Sequence, residues 1–273
     1  MKLPIDFSFN QQILQDYLDC PRRFELKYLD KLAWPAIRSE PVLEMERHMQ
    51  LGVRFHQMIH QHQLGLPQDT VASQAVELEL DEWWRSYLSH PPGPLPEKRF
   101  PEITLAAPFS GYRLVAKYDL LAIDPNQAAV IVDWKTNRKP IKVIVLKTRA
   151  QTRLYPLLLV LAGAHLNDRV SIQADKVKMI YWFTADPAHP VTFQYSEIEY
   201  QADCDYLKQL IAQIEAQEKP FPLTADEKSC LFCNYRSLCQ RGIAAGSAAE
   251  DETDEGEEGA LLPDLDFDQI AEI

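Results

Sequence analysis

Apolar positions in the first ninety residues recur at helical spacing. Ile13, Leu14, Tyr17 and Leu18 make one stripe, which predicts a helix over residues 10–18 with Ser8 placed to cap it. Pro21 interrupts the pattern before Phe24, Leu26, Tyr28 and Leu29. Residues 45–63 read as a helix with Val53, Phe55 and Ile59 on one side, and 71–88 as another. From Arg99 the texture changes. Residues 102–107, 112–123 and 128–134 are rich in β-branched and apolar side chains, and Pro125-Asn126 between the last two predicts a hairpin. A helix over 149–162 follows, then strands over 176–184 and 191–195 split by Asp186-Pro187, then a long helix over 200–216. Helices that lead into a meander with an embedded helix predict an α/β fold, with a mixed central sheet flanked by helices. No internal repeat is visible.

Length and charge refine this picture. A chain of 273 residues with 46% hydrophobic content suffices for a sizeable core and argues against wholesale disorder. The longest apolar runs, such as 157–163, fall short of the ~20 residues that a membrane helix needs, and the first residues lack the apolar core of a secretory leader. The expectation is a cytoplasmic protein with no membrane partner. The net charge of −12 is a property of one end. From Ile243 onward there are eleven acids and no Lys or Arg, and the rest of the chain holds 29 acids against 28 bases. Acidity therefore does not exclude a nucleic-acid-binding body. The division expected is one domain over 1–243 and an acidic tail over 244–273. Leu261, Leu262, Leu265, Phe267 and Ile270 late in that tail suit a partner-binding peptide; folding back over a basic cleft and an inert tail are the other two readings.

The densest chemistry lies between Asp119 and Lys135. Asp133 and Lys135 are two apart on a predicted strand, so they share a face, and hairpin pairing can bring Asp119 beside Asp133. Two carboxylates on one spot repel unless a cation joins them, and a hard divalent metal is the natural occupant. A lysine there can orient a water or stabilise a phosphate that gains negative charge. Glu102 is a further acid that could line the site. Basic and aromatic residues interleave nearby, as in Arg22-Arg23-Phe24, Lys27-Tyr28 and the run from Arg138 to Arg153, a mixture that suits phosphates and unpaired bases.

Five cysteines are present. Cys230-x2-Cys233-x5-Cys239 is a compact thiolate cluster that needs a fourth ligand, for which Cys20 in Cys20-Pro21 is the candidate. Zinc and an iron–sulfur centre both fit the spacing. Cys204 has no partner at motif spacing.

Together these residues resemble the PD-(D/E)XK nuclease superfamily, in its RecB-like branch. Gly52-x-x-x-His56 is similar to the family's helix with a metal-binding histidine, although His60 and His62 lie close by. Asp119, then Asp133-x-Lys135, then Gln151-x-x-x-Tyr155 follow in the family's order, and the likeness spans roughly residues 8–242. One departure is Ala116, where many relatives have glycine. The upstream Cys-Pro with the terminal cysteines resembles the iron–sulfur nucleases, which include AddB-type subunits and CRISPR-associated exonucleases.

The resemblance implies a restriction-endonuclease-like core whose N- and C-terminal segments are joined at a [4Fe–4S] centre held by Cys20, Cys230, Cys233 and Cys239. It implies His56, Asp119 and Asp133 as ligands of Mg²⁺ or Mn²⁺. Asp119, Asp133 and Lys135 are then catalytic, with Gln151 and Tyr155 on the DNA backbone. The activity implied is a metal-dependent deoxyribonuclease, an exonuclease on single-stranded or unwound DNA in repair, recombination or CRISPR adaptation. No helicase phosphate loop is present, so unwinding requires a helicase or CRISPR adaptation partner. The competing expectation is a catalytically silent iron–sulfur scaffold that binds DNA ends.

Overall fold

The computed structural model describes residues 3–33 and 40–242, without the side chains of 40–45. The expected peptide at 261–270 therefore lies outside the described residues. In chain order the elements are β1 (Ser8–Phe9), α1 (Gln11–Asp19), α2 (Pro21–Phe24), a π-helical turn (Glu25–Leu29), α3 (Glu40–Gln63), α4 (Gln68–Ala72) and α5 (Leu78–Ser89). There follow β2 (Lys98–Phe109), β3 (Tyr112–Asp124), β4 (Ala128–Lys135), α6 (Val143–Thr148), α7 (Ala150–Ala162), β5 (Val177–Phe183), β6 (Val191–Gln194) and α8 (Glu197–Ala216).

Several expectations are corrected in detail. The cap of α1 is Asn10, whose Oδ1 accepts the Ile13 N–H at 2.8 Å; Ser8 instead pairs in a strand. The helix expected over 71–88 is two helices, with exposed Val76 and Leu78 at the break. The short helix α6, which no long apolar period announces, leads into α7.

β3 is the axis of the sheet. Antiparallel β2 runs along one edge of it, while parallel β1 pairs near its start and antiparallel β4 near its end. β4 then pairs parallel with β5 across the α6–α7 crossover, and β6 closes the edge antiparallel to β5. The sheet is therefore mixed, and helices cover both faces.

Each face has its own core. Leu14, Tyr17, Leu154, Leu158, Leu207 and Ile211 of α1, α7 and α8 pack on one face, against Ile131 and Met179 among others. Phe55, Ile59, Trp83, Trp84 and Tyr87 of α3 and α5 pack on the other, against Val130, Val132 and Trp182. Among the described residues no helix is long and apolar enough to cross a membrane.

Gly52 sets how closely α3 approaches the end of β4. A Cβ there would lie 2.8 Å from Thr136 Oγ1, one residue beyond Lys135. His48, one turn earlier, adds a 2.7 Å hydrogen bond from its Nε2 to the Thr136 carbonyl. This docking brings His56, one turn after Gly52, to the sheet. Gly52→Ala should cost about 1–3 kcal/mol through overpacking. Thr136→Ala should recover most of that loss, which a double-mutant cycle of melting curves would read. Simple additivity of the two substitutions would contradict the contact.

Candidate metal and catalytic site

A regular strand keeps residues two apart on one face. On β3 that rule holds up to Tyr118, which belongs to the α1/α7/α8 core, and then reverses, because Leu120 belongs to the opposite core. β2 reverses at the same level: Ile103 and Phe100 both pack toward the α1/α7/α8 side. The residues at the reversal are Glu102 and Asp119, which face each other across the register flanked by Pro101↔Leu120 and Ile103↔Tyr118. Glu102 has φ +54°, a left-handed backbone that L-residues other than Asn and Asp seldom adopt.

Ladder pairing of β3 with β4 begins at Leu120↔Val132 and runs toward the hairpin. Beyond it, Asp119 and Asp133 are not a ladder pair; the Trp134 N–H donates to Asp119 Oδ2 at 2.8 Å instead. The Asp119 side chain thus takes the place of a neighbouring backbone carbonyl and lies where both faces of the sheet can reach it. From the α3 side, His56 Nδ1 comes within 3.4 Å of Asp119 Oδ1. His56, Glu102 and Asp119 bring one ligand atom each within 4.8 Å of one another, the one such trio among the described residues. All three are partly exposed.

Asp133 and Lys135 point to the α7 face and are buried. Lys135 Nζ lies 2.9 Å from Asp133 Oδ2 and donates to Gln151 Oε1 at 2.9 Å, while Gln151 Nε2 donates to Asp133 Oδ1 at 2.5 Å. Of the trio expected to hold metal, His56 and Asp119 converge as drawn from the sequence. Asp133 is not among the converging ligands, and the third is Glu102. The sequence marks Glu102 only as a further acid that could line the site. Glu102 Oε2 is paired with Lys117 Nζ at 2.6 Å.

Electrostatics follow from this crowding. Burial works against a proton on His56. The Asp119 carboxylate outweighs it, with Asp133 and Glu102 adding to the effect, and His56 is pushed up to about 9. Burial also favours the neutral form of Asp119, yet His56, the Trp134 N–H and Lys135 together hold its carboxyl below the ordinary range.

Other expected contacts are turned inward. Arg23 Nε lies 3.0 Å from fully buried Asp16, Arg23 also meets Asp19 at 2.7 Å, and Lys27 approaches Asp16 at 3.5 Å. Arg153 pairs with Asp203 at 2.7 Å and stacks on Tyr206. Arg138, Lys139, Lys142 and Lys147, which follow Lys135 in the chain, are exposed.

The cysteines do gather. Cys20, Cys233 and Cys239 all bear electrostatically on Cys230; burial first, and then their charges, push its thiol up to about 11. Arg23 opposes that rise. The two ends of the body also meet through hydrogen bonds: Arg22 N–H donates to the Pro222 carbonyl at 3.1 Å and Phe221 N–H to Glu25 Oε2 at 2.8 Å. Cys204 lies apart on α8, buried.

A family model described as the PD-(D/E)XK nuclease superfamily matches residues 8–240. Comparison with curated proteins finds no match. Among solved structures the chain is similar to SSO0001, at 13% identity over 87% of this chain and 88% of that one, with a TM-score of 0.38. It is also similar to a protein named "Putative exonuclease" from Eubacterium rectale, at 10% identity over 78% of this chain and 85% of that one, with a TM-score of 0.44.

A raised histidine pKa means that the His56–Asp119 pair contributes its full stability below pH 6.5 and loses it as pH rises through about 9. In EDTA, the melting temperature should therefore fall across that window. His56→Gln should flatten the fall; an unchanged slope in the variant would contradict the pairing.

Proposed function

The chain belongs to the PD-(D/E)XK nuclease superfamily, and from that premise we propose that it is a divalent-metal-dependent deoxyribonuclease acting on single-stranded or unwound DNA. The observation that carries this reading is the convergence of His56, Glu102 and Asp119 directly beside a buried Asp133–Lys135 pair.

The donor set fits a metal. One imidazole and two carboxylates form a mixed nitrogen and oxygen site that suits Mn²⁺ as well as Mg²⁺. A cation held there supplies positive charge to the scissile phosphate and acidity to a coordinated water. The chain's own residues do the rest. Asp119 and Glu102 would hold the cation, with His56 in its neutral form as the third ligand. Lys135 is held toward the same place by Asp133 and Gln151, where its ammonium can orient a water or meet charge that develops on a phosphate. Exposed Arg138, Lys139, Lys142 and Lys147 follow Lys135 in the chain and suit a phosphate backbone. No element has the form of a base-reading helix, which favours recognition of ends or of single strands.

Cys20, Cys230, Cys233 and Cys239 are proposed to hold a [4Fe–4S] centre, as in the RecB-like iron–sulfur branch. One observation supports a metal among them: four thiolates that bear on one another electrostatically repel unless a cation joins them. The choice of [4Fe–4S] over zinc follows the resemblance of the Cys20-Pro21 and terminal cysteine pattern to the iron–sulfur nucleases. Repair, recombination or CRISPR adaptation, with a helicase as partner, is the context proposed, and the cytoplasm the compartment.

Asp119→Ala and Asp133→Ala should each lower cleavage of end-labelled DNA by about a thousandfold or more, and Lys135→Ala by about a hundredfold with Mn²⁺ binding retained. If both aspartate variants cut at the wild-type rate, the site is misassigned. If the wild type binds DNA ends but cuts in neither Mg²⁺ nor Mn²⁺, the silent scaffold is the better reading.

Protein purified without oxygen should contain iron and sulfide. Cys20→Ser and Cys233→Ser should lose iron equally and melt at lower temperature. Stoichiometric zinc with no iron would overturn the cluster assignment.

A further inference from the structure

We propose that Gln151 and Tyr155 are positioning residues that set the spacing of the acidic strands from inside the protein, and are not contacts to nucleic acid. This rests on the nuclease reading of the site and deepens it.

The two side chains lie one helical turn apart on α7, and both are buried, Gln151 at 8% exposure and Tyr155 at 2%. Their polar groups are committed within the protein. Lys135 has only donors, so the Gln151 atom that faces it must be the amide oxygen; ionised Asp133 has only acceptors, so the atom that faces it must be the amide nitrogen. The amide orientation is therefore fixed by its two partners. A neutral side chain with both a donor and an acceptor can bridge an ammonium and a carboxylate, whereas a glutamate there would repel Asp133 and a leucine would serve neither.

One turn later, the Tyr155 hydroxyl donates to the Lys117 carbonyl at 2.8 Å, two residues before Asp119 on β3. Tyr118 reinforces that contact. Its ring packs 4.7 Å from that of Tyr155, and its hydroxyl donates to the Tyr155 carbonyl at 2.9 Å. Gln151 thus holds β4 and Tyr155 holds β3, at the level where their ladder pairing has ended. The helix itself is tied down at its start, where the Ala150 N–H donates to Gln15 Oε1 of α1 at 3.0 Å. A phosphate that reached Gln151 would have to displace Lys135 or Asp133.

The test compares the wild type with Gln151→Leu, of similar size, and with Tyr155→Phe, which keeps the ring and its packing. Three quantities are read on the full-length protein: the dissociation constant for a fluorescent single-stranded oligonucleotide in EDTA, the dissociation constant for Mn²⁺ alone, and the single-turnover cleavage rate at saturating DNA. Positioning predicts that Gln151→Leu weakens Mn²⁺ binding several-fold and slows cleavage about a hundredfold, because small displacements of catalytic groups are costly. DNA affinity in EDTA should stay within about twofold, the signature of a group that does not bind substrate. Tyr155→Phe should move the same quantities in the same direction, less far.

DNA binding weakened beyond twofold in either variant would overturn the proposal, as would Mn²⁺ affinity unchanged in Gln151→Leu. A wild type that does not cut would refute the nuclease reading alone, since the Mn²⁺ and oligonucleotide measurements still decide the role of Gln151.

Discussion

Three carboxylates lie close together where the β3–β4 ladder ends, and each is matched by a cation. Lys117 pairs with Glu102, His56 with Asp119, and Lys135 with Asp133. Like charges this close cannot coexist in a partly dry site without such pairing. The surrounding structure can be read as the means of delivering those cations from different directions. Lys117 comes from β3 itself, Lys135 from β4, and His56 from α3, across the sheet from α7. A cation bound among His56, Glu102 and Asp119 would take over the role of the His56 proton. Without metal the three pairs balance; a divalent ion in place of the His56 proton would leave one positive charge in excess, which suits an anionic phosphate.

That delivery depends on the joint reversal of β2 and β3. If alternation ran unbroken, Leu120 would share a face with Tyr118, and Asp119 would point to one side of the sheet only. The left-handed backbone of Glu102 lets both strands turn over together, and the end of β3–β4 pairing leaves the Trp134 N–H for Asp119 to accept. Local strain of order 1 kcal/mol at a non-glycine residue persists only where its surroundings fix it. Here the paired strand, Lys117 and the opposing aspartate do so.

Much of this was legible from residue order. Period-two alternation put Asp133 and Lys135 on one face, and they share the α7 side. The hairpin at Pro125-Asn126 follows from turn chemistry, and Asn126 has φ +62° there. The i, i+4 spacing of Gln151 and Tyr155 put both on one face of α7, but spacing does not say whether that face looks outward or in. The reversal at Glu102 and Asp119 escaped because glutamate gives no local warning of a positive φ, and because facing across strands is a property of register. Arg22, Arg23 and Lys27 looked like a phosphate surface in one dimension. In three, Asp16, Asp19 and Glu25 neutralise them, and pairing between short-range helical neighbours and a buried acid cannot be read from composition. The break in the helix expected over 71–88 escaped for a related reason, since no proline or glycine marks it.

The proposed nuclease chemistry requires a cation gripped at the strand reversal, by Glu102 together with His56 and Asp119. Anomalous diffraction at the manganese edge from Mn²⁺-soaked crystals addresses it directly. The expected result is a peak in contact with all three side chains, with Glu102 separated from Lys117. A peak held by Asp119 and Asp133 while Glu102 stays on Lys117, or no peak at this end of the sheet, would contradict it.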